Sequence, residues 1–157
     1  MSDIADVYVH YHVLLRAFSY FTKFIPKEAM GFLIGDRFKY NNKEYVEIIY
    51  FIPVKGKASE VYVEPLEGSL GLVSSKIAKV GKNLIIVGWA HSHPGYGCFL
   101  SDVDLETQRK YFYEPFHVAM VIDPISGQYD LYKLKEDGSY TRPYFKVVMK
   151  VGKRYKG

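Results

Sequence analysis

The sequence predicts a mixed α/β (α+β) domain in which helices pack against a mixed β-sheet. Three observations favour this class. Apolar side chains recur at helical spacing over residues 13–21 and 65–80. The run over 84–90 is continuously apolar, which is typical of a strand buried on both faces. Turn sequences rich in glycine, proline and asparagine separate these segments, so helices and strands alternate along one chain.

The first half of the chain predicts a helix, a hairpin and a second helix. The first helix ends before Pro26, because proline cannot continue a helix, and its apolar face comprises Val13, Leu14, Ala17, Phe18 and Phe21. Strands are predicted over 30–38 and 44–52, joined by an Asn-Asn turn. The second helix covers 65–80 and ends at Gly81.

The second half predicts four strands and a third helix. The apolar run over 84–90 is followed by a glycine-rich loop and then by a helix over 101–113. Strands over 118–122 and 129–134 are joined by the turn sequence Asp-Pro-Ile-Ser-Gly. An Asp-Gly turn then precedes a last strand over 144–148.

Length and composition suit one globular domain. Of 157 residues, 48% are hydrophobic and 24% are charged. We expect a single domain over 1–157, with its core at about 8–134 and a C-terminal strand and basic tail over 139–157. No apolar run approaches the roughly 20 residues of a spanning helix, and the N-terminus lacks the pattern of a signal peptide. These features predict a cytoplasmic protein that does not contact a membrane.

Charge and cysteine content narrow the possible chemistry. The net charge is +4, but the basic residues are scattered and no nucleic-acid recognition motif accompanies them, so we expect no nucleic-acid partner. Their one local cluster lies in the tail, at Lys150, Lys153, Arg154 and Lys156. The only cysteine, Cys98, excludes an internal disulfide and a multi-cysteine metal site. Histidine, carboxylate and hydroxyl groups are therefore left to carry any chemistry.

A candidate metal site lies between residues 89 and 104. His91 and His93 come at the end of the predicted buried strand, and residues two apart on a strand point to the same face. Two histidines and a carboxylate such as Asp104 are a standard ligand set for zinc, with the fourth position open to water. The intervening Pro-Gly-Tyr-Gly sequence allows the sharp turn that would return Asp104 to the histidines.

Each of these residues also has a structural interpretation. Ser101 and Asp104 have the spacing of a capping box, which would satisfy free amides in the first turn of the third helix. Glu28, between the first helix and the following strand, is either a surface acid or the proton acceptor that a hydrolytic site needs. Cys98 lacks an evident base partner, which favours a packed thiol over a nucleophile.

The complete pattern resembles the JAMM (MPN+) metalloprotease family. It comprises His91-Ser-His93-Pro, Ser101 and Asp104, with Glu28 upstream in Glu-Ala-Met-Gly-Phe-Leu-Ile-Gly. The passage Gly-Tyr-Gly-Cys-Phe-Leu-Ser is similar to the loop of the proteasome-lid deubiquitinase and of the COP9 signalosome deneddylase. The resemblance extends over about residues 8–134, and the short chain predicts a prokaryotic, specifically archaeal, member. It implies an MPN/JAB fold with a curved sheet, similar to that of cytidine deaminases.

The resemblance also implies roles for individual residues. His91, His93 and Asp104 would bind one zinc ion per chain, with water at the open position. Glu28 would act as general base and would then protonate the leaving amine. Ser101 would donate a hydrogen bond to the oxyanion.

The implied substrate is ubiquitin or a ubiquitin-like modifier, cut after its C-terminal Gly-Gly. A segment before the second helix would pair with the extended tail as an added strand; Val61, Tyr62 and Val63 are the candidates here, unless they merely form a loop. Phe99, where eukaryotic relatives usually have tryptophan, would keep an aromatic wall beside the tail. The proteasome or another MPN subunit is a further expected partner.

Two other functions are compatible with the same residues. The protein could be a JAMM hydrolase that processes a small sulfur-carrier protein, which differs only in substrate. It could instead be a non-catalytic MPN scaffold, although members of that class typically lack one or more of the metal ligands, all of which are present here.

Overall fold

The computed structural model describes residues 4–54, 67–80 and 83–149, apart from the side chains of Glu67 and Gly68. The described part contains three helices and eight strands: β1 Val7–His10, α1 Tyr11–Thr22, β2 Met30–Tyr40, β3 Lys43–Val54, α2 Glu67–Val80, β4 Ile85–Ser92, α3 Asp102–Tyr111, β5 Val118–Asp123, β6 Gln128–Leu134, β7 Tyr140–Thr141 and β8 Phe145–Val148. The predicted mixed α/β class is confirmed. The expected stop at Gly81, the tail-binding segment 61–63 and the basic cluster of the tail lie outside the described residues.

The eight strands form one curled sheet in the order β7-β6-β5-β4-β2-β3-β1-β8. Parallel pairing joins β1 to β3, β1 to β8 and β4 to β5, and the other pairs are antiparallel. A flat sheet would hold β6 and β8 about 29 Å apart. Their rings at Tyr129 and Phe145 nevertheless lie 6.0 Å apart between centroids, because the sheet curls.

Apolar side chains on the two faces of the sheet form two cores. On the concave face, Leu33 and Met120 pack with the buried side of α1, which includes Val13 and Phe21. On the opposite face, Phe32, Trp89 and Val121 pack with Val73 and Ile77 of α2 and with Phe112 beyond α3. The central strands β2, β4 and β5 are therefore covered on both sides, as the continuous apolar run over 84–90 predicts for β4.

Two strands are absent from the sequence-based prediction. β1 has only four residues directly before α1, and its partners β3 and β8 lie far along the chain. β7 has two residues and pairs only with β6. Segments this short carry too little periodicity to be recognised locally. Among the described residues, no helix combines the length and the apolar character needed to cross a membrane.

Candidate metal centre

His91, His93 and Asp104 converge on one buried point. The Nε2 atoms of the two imidazoles lie 3.2 Å apart. The Oδ2 atom of Asp104 lies 2.9 Å from Nε2 of His91 and 3.1 Å from Nε2 of His93. All three residues are at most 4% exposed. The three ligand atoms therefore form a nearly equilateral triangle, as one shared cation requires.

Strand alternation and a helix start bring these residues together. His91 lies within β4 and His93 directly follows it, so both side chains leave the sheet on the same face. Ser101 is the N-cap of α3, and its Oγ accepts a hydrogen bond from the backbone N–H of Asp104 at 3.1 Å. The Asp104 carboxylate in turn accepts from the backbone N–H of Ser101 at 3.0 Å. The capping box and the candidate metal site thus coexist, because Asp104 Oδ2 belongs to both.

The electrostatics of the cluster keep Asp104 ionised. Burial on its own would raise the pKa of this carboxyl group. The imidazoles of His91 and His93 and the Ser101 N–H outweigh burial and hold the pKa well below its ordinary value. An ionised carboxylate facing two imidazole nitrogens is the protonation state that a metal ligand needs.

The two imidazole rings are oriented by different means. Nδ1 of His93 lies 3.1 Å from the carbonyl oxygen of Gly97, so that its N–H donates there and Nε2 remains available as a ligand. Nδ1 of His91 is buried and has no hydrogen-bond partner in the described part of the chain. The His91 ring instead stacks on Trp89, with centroids 4.4 Å apart and an interplanar angle of 15°. The Trp89 indole N–H donates to Gln108 of α3, which fixes the stack.

Glu28 is held beside the cluster by the pairing of β2 and β4 at their ends. It precedes β2, whose first residue, Met30, is paired with His91. The neighbouring Ala29 and Ser92 exchange two hydrogen bonds, Ala29 N–H to Ser92 Oγ at 3.0 Å and Ser92 N–H to the Ala29 carbonyl at 3.1 Å. Glu28 itself is 2% exposed, so the interpretation as a surface acid is wrong.

The environment of Glu28 makes its carboxylate a stronger base than usual. Burial raises its pKa, although the Tyr96 hydroxyl, which donates a hydrogen bond to it, acts in the opposite direction. Tyr96 also stacks on His93, with centroids 4.8 Å apart. A single tyrosine therefore contacts both the candidate base and a candidate ligand.

Two residues that shape this site, Tyr96 and Asp123, are not among the candidates predicted from the sequence. The Pro-Gly-Tyr-Gly segment is predicted only as a sharp turn, and both of its glycines do have positive φ angles, 86° at Gly95 and 85° at Gly97. Asp123 was assigned only to a turn. Its carboxylate accepts hydrogen bonds from the N–H groups of Gly95 at 2.9 Å and Gly97 at 3.1 Å. The Asp-Pro sequence at 123–124 predicts a local turn, but it does not predict hydrogen bonds to Gly95 and Gly97.

Of the other candidate residues, Phe99 and Cys98 fall within the described part of the chain. Phe99 is 40% exposed, and its ring lies 4.7 Å from that of His93. The Cys98 thiol lies 3.5 Å from the Val121 carbonyl oxygen, and burial raises its pKa. A thiol with a raised pKa is a poor nucleophile, which supports the packed role. The predicted tail-binding residues Val61, Tyr62 and Val63 lie outside the described residues.

The donor set fits a zinc ion. Tetrahedral zinc with bonds of about 2.0–2.1 Å separates its ligand atoms by roughly 3.4 Å. The three separations here, 2.9, 3.1 and 3.2 Å, need only a small expansion. Two nitrogens and one oxygen leave a fourth position for water or substrate, as catalytic sites do. In the part of the chain that the structure describes, this is the cluster of histidine and acidic side chains suited to a metal.

Fold and site together define an α/β domain with a candidate metal centre formed by a His-x-His pair and an aspartate. The chain belongs to the family described as JAB1/Mov34/MPN/PAD-1 ubiquitin protease, whose pattern matches residues 2–114. The resemblance to the JAMM (MPN+) family, stated from the motif, is confirmed.

Relatives in this family include proteasome and signalosome subunits. The chain is 32% identical over 125 residues to the 26S proteasome regulatory subunit RPN11 of Eremothecium gossypii, which covers 77% of this chain and 39% of that protein. It is 38% identical over 100 residues to COP9 signalosome complex subunit 5 of Kluyveromyces lactis, covering 62% of this chain and 26% of that protein. The ubiquitin carboxyl-terminal hydrolase RPN11 of Saccharomyces cerevisiae is 32% identical over 125 residues, again 77% of this chain and 39% of the relative. The chain thus spans less than half the length of these relatives.

The fold also matches a solved bacterial structure. The solution structure of protein DSY2949 from Desulfitobacterium hafniense superposes with a TM-score of 0.74, covering 92% of this chain and 94% of the other. At 15% sequence identity, this similarity concerns the fold alone.

Proposed function

We propose that this protein is a zinc-dependent isopeptidase that cuts after the C-terminal Gly-Gly of ubiquitin or a ubiquitin-like modifier. The observation that carries the proposal is the convergence of His91, His93 and Asp104, with the buried carboxylate of Glu28 held beside them. Membership of the family supports the reaction class. The names of the relatives support the substrate class and make a proteasome-like assembly or another MPN subunit the expected larger partner.

Glu28 moves the proton in this proposal. His91, His93 and Asp104 would hold the zinc ion, which when bound lowers the pKa of a water molecule to about 7 and polarises the carbonyl. In the proposed reaction the Glu28 carboxylate would accept a proton from the attacking water, whose oxygen would bond to the carbonyl carbon. It then delivers the proton to the lysine nitrogen as the C–N bond breaks. The products are a carboxylate on the modifier and a lysine ammonium group, because the second proton of the water also passes to the leaving nitrogen.

Ser101 stabilises the developing negative charge. Its Oγ already accepts the Asp104 N–H, so its own hydroxyl proton is available to a second acceptor. Ser101 is partly exposed at the mouth of the site, where a substrate carbonyl can reach it. The N-cap conformation fixes the hydroxyl before substrate binds, which is the condition for effective oxyanion stabilisation.

A cleavage assay with metal control tests the proposal. We expect the purified chain to contain about one zinc ion and to cleave a ubiquitin–lysine isopeptide conjugate. Orthophenanthroline should stop cleavage, its non-chelating meta isomer should not, and added zinc should restore the rate. The Cys98→Ala variant should retain the wild-type rate, since the thiol takes no part.

Each alternative gives a different result in the same assay. A zinc-loaded protein that leaves ubiquitin and ubiquitin-like conjugates intact, but processes a sulfur-carrier conjugate, would replace the proposed substrate. Protein that binds no zinc would contradict catalysis and favour a scaffold. Loss of cleavage in a folded, zinc-loaded Cys98→Ala protein would contradict the statement that the thiol takes no part in the reaction.

The pH dependence of cleavage should report the environment of Glu28. The carboxylate is the active form, so kcat/KM falls as the pH drops through the Glu28 pKa. Burial raises this pKa in the metal-free protein, and the fall in kcat/KM below it is the acid limb of the pH profile. Tyr96→Phe removes a hydrogen bond that lowers the pKa, so the limb should move to still higher pH. An acid limb that stays in place or moves to lower pH in this variant would contradict the hydrogen bond from Tyr96 to Glu28 as a cause of a lower pKa.

A further inference from the structure

Asp123 joins two segments that are distant in sequence. It ends β5 and is 2% exposed. Its Oδ1 accepts the N–H groups of Gly95 at 2.9 Å, Ile125 at 2.9 Å and Ser126 at 3.1 Å. Its Oδ2 accepts the N–H of Gly97 at 3.1 Å. One side chain therefore supports both the β5–β6 turn and the loop of residues 95–97.

Ionisation of Asp123 strengthens all four contacts. Burial alone would disfavour the charged form. The backbone N–H groups of Gly95, Ser126, Gly97 and Ile125 overcome this and lower the pKa to about 2. The carboxylate is consequently charged at neutral pH, and hydrogen bonds to a charged acceptor are stronger than those to a neutral one.

The loop that Asp123 anchors reaches the metal centre in two places. The Gly97 carbonyl accepts the Nδ1–H of His93 at 3.1 Å. Tyr96 lies between the two anchored glycines and donates its hydroxyl to Glu28. We infer that Asp123 is a positioning residue, whose carboxylate fixes the 95–97 loop and through it both the His93 imidazole and the Glu28 carboxylate. The part of this inference that concerns catalysis rests on the proposed function, whereas the part that concerns His93 does not.

The two oxygens of Asp123 allow a selective variant. Asp123→Asn retains one acceptor oxygen. We expect this oxygen to take the Oδ1 position, where it can accept the three N–H groups of Gly95, Ile125 and Ser126. Its NH₂ group then faces the Gly97 N–H, so a donor meets a donor and this contact is lost. Asp137→Asn is the matched control, since Asp137 also accepts a backbone N–H, that of Ser139 at 3.0 Å, but in an exposed turn.

Three measurements on the full chain, comparing both variants with the wild type, test the inference. In Asp123→Asn we expect zinc affinity, measured by competition with a chelating dye, to fall about 10- to 100-fold, the usual cost of losing the group that orients a ligand. The Gly97 amide should exchange with solvent faster by NMR. We expect kcat to fall about 10- to 100-fold while KM changes little, because the reacting groups are misplaced. Asp137→Asn should match the wild type in all three.

The outcomes separate positioning from simple stabilisation. If Asp123→Asn lowers the melting temperature while zinc affinity and Gly97 exchange stay at control values, Asp123 only stabilises the turn and the inference is wrong. If the variant does not fold, the wild-type protein still decides, since a Gly97 amide that exchanges at the rate of an unprotected group also overturns it. Zinc affinity and amide exchange need no substrate, so they test Asp123 even if the proposed cleavage is not observed.

Discussion

Glu28→Gln is expected to retain zinc and to lower kcat by about 10²- to 10⁴-fold, the range typical of a lost general base. The amide has nearly the same shape as the carboxylate and still accepts the hydrogen bond from Tyr96. It cannot take up a proton from water near neutral pH, so proton transfer fails while the fold and ligands persist. Zinc content and single-turnover cleavage, measured on the same preparation, separate these two effects.

Glu106→Gln is the matched control for this experiment. Glu106 lies on α3 close to the metal centre in sequence but is exposed to solvent. The same loss of one negative charge there should leave turnover unchanged. A Glu28→Gln protein that cleaves at the wild-type rate would remove Glu28 from the mechanism and leave the proton acceptor unassigned.

Asp104 should be the most sensitive position of the metal centre, because it serves two structures at once. Both Asp104→Asn and Asp104→Ala remove the charged ligand, and we expect both to lose zinc and cleavage. The two variants differ in their effect on the capping box at the start of α3. Asparagine keeps an oxygen that can accept the Ser101 N–H, whereas alanine leaves that donor unpaired. In the metal-free proteins, alanine should therefore cost about 1 kcal/mol more in the free energy of unfolding.

Zinc titration and chemical denaturation of the metal-free variants measure the two roles independently. Asp102→Asn is a suitable control, since Asp102 belongs to the same first turn but is exposed. Zinc binding at wild-type affinity by Asp104→Asn would contradict its role as a ligand. Equal stability of the alanine and asparagine variants would show that the capping box contributes little.

Local patterns were sufficient to predict the convergence of the candidate ligands and most of the helices and strands. His91 and His93 share a face because side chains alternate along a strand, whatever surrounds the strand. Ser101 and Asp104 have the spacing of a helix cap, and that cap turns the Asp104 carboxylate back toward the strand end. These relations depend on neighbours within a few residues, so they can be predicted before any tertiary contact is known.

Long-range contacts decided the rest of the site. Tyr96 and Glu28 are 68 positions apart, and Gly95 and Asp123 are 28 apart. No periodicity in the chain predicts such pairs, because they exist only when the parallel pairing of β4 and β5 and the antiparallel pairing of β2 and β4 bring the strand ends together. The burial of Glu28, which makes it a stronger base, arises in the same way.

The sequence by itself thus determined which groups are candidate metal ligands and where the helix that carries Asp104 begins. Only the tertiary structure decided how those groups are held, through the Trp89 stack, the Gly97 carbonyl and the Asp123 carboxylate. The physical reason is that the type of ligand is given by the residue itself, and the face on which its side chain lies follows from local backbone geometry. Orientation and pKa instead follow from packing and hydrogen bonds between segments that meet only in the folded chain.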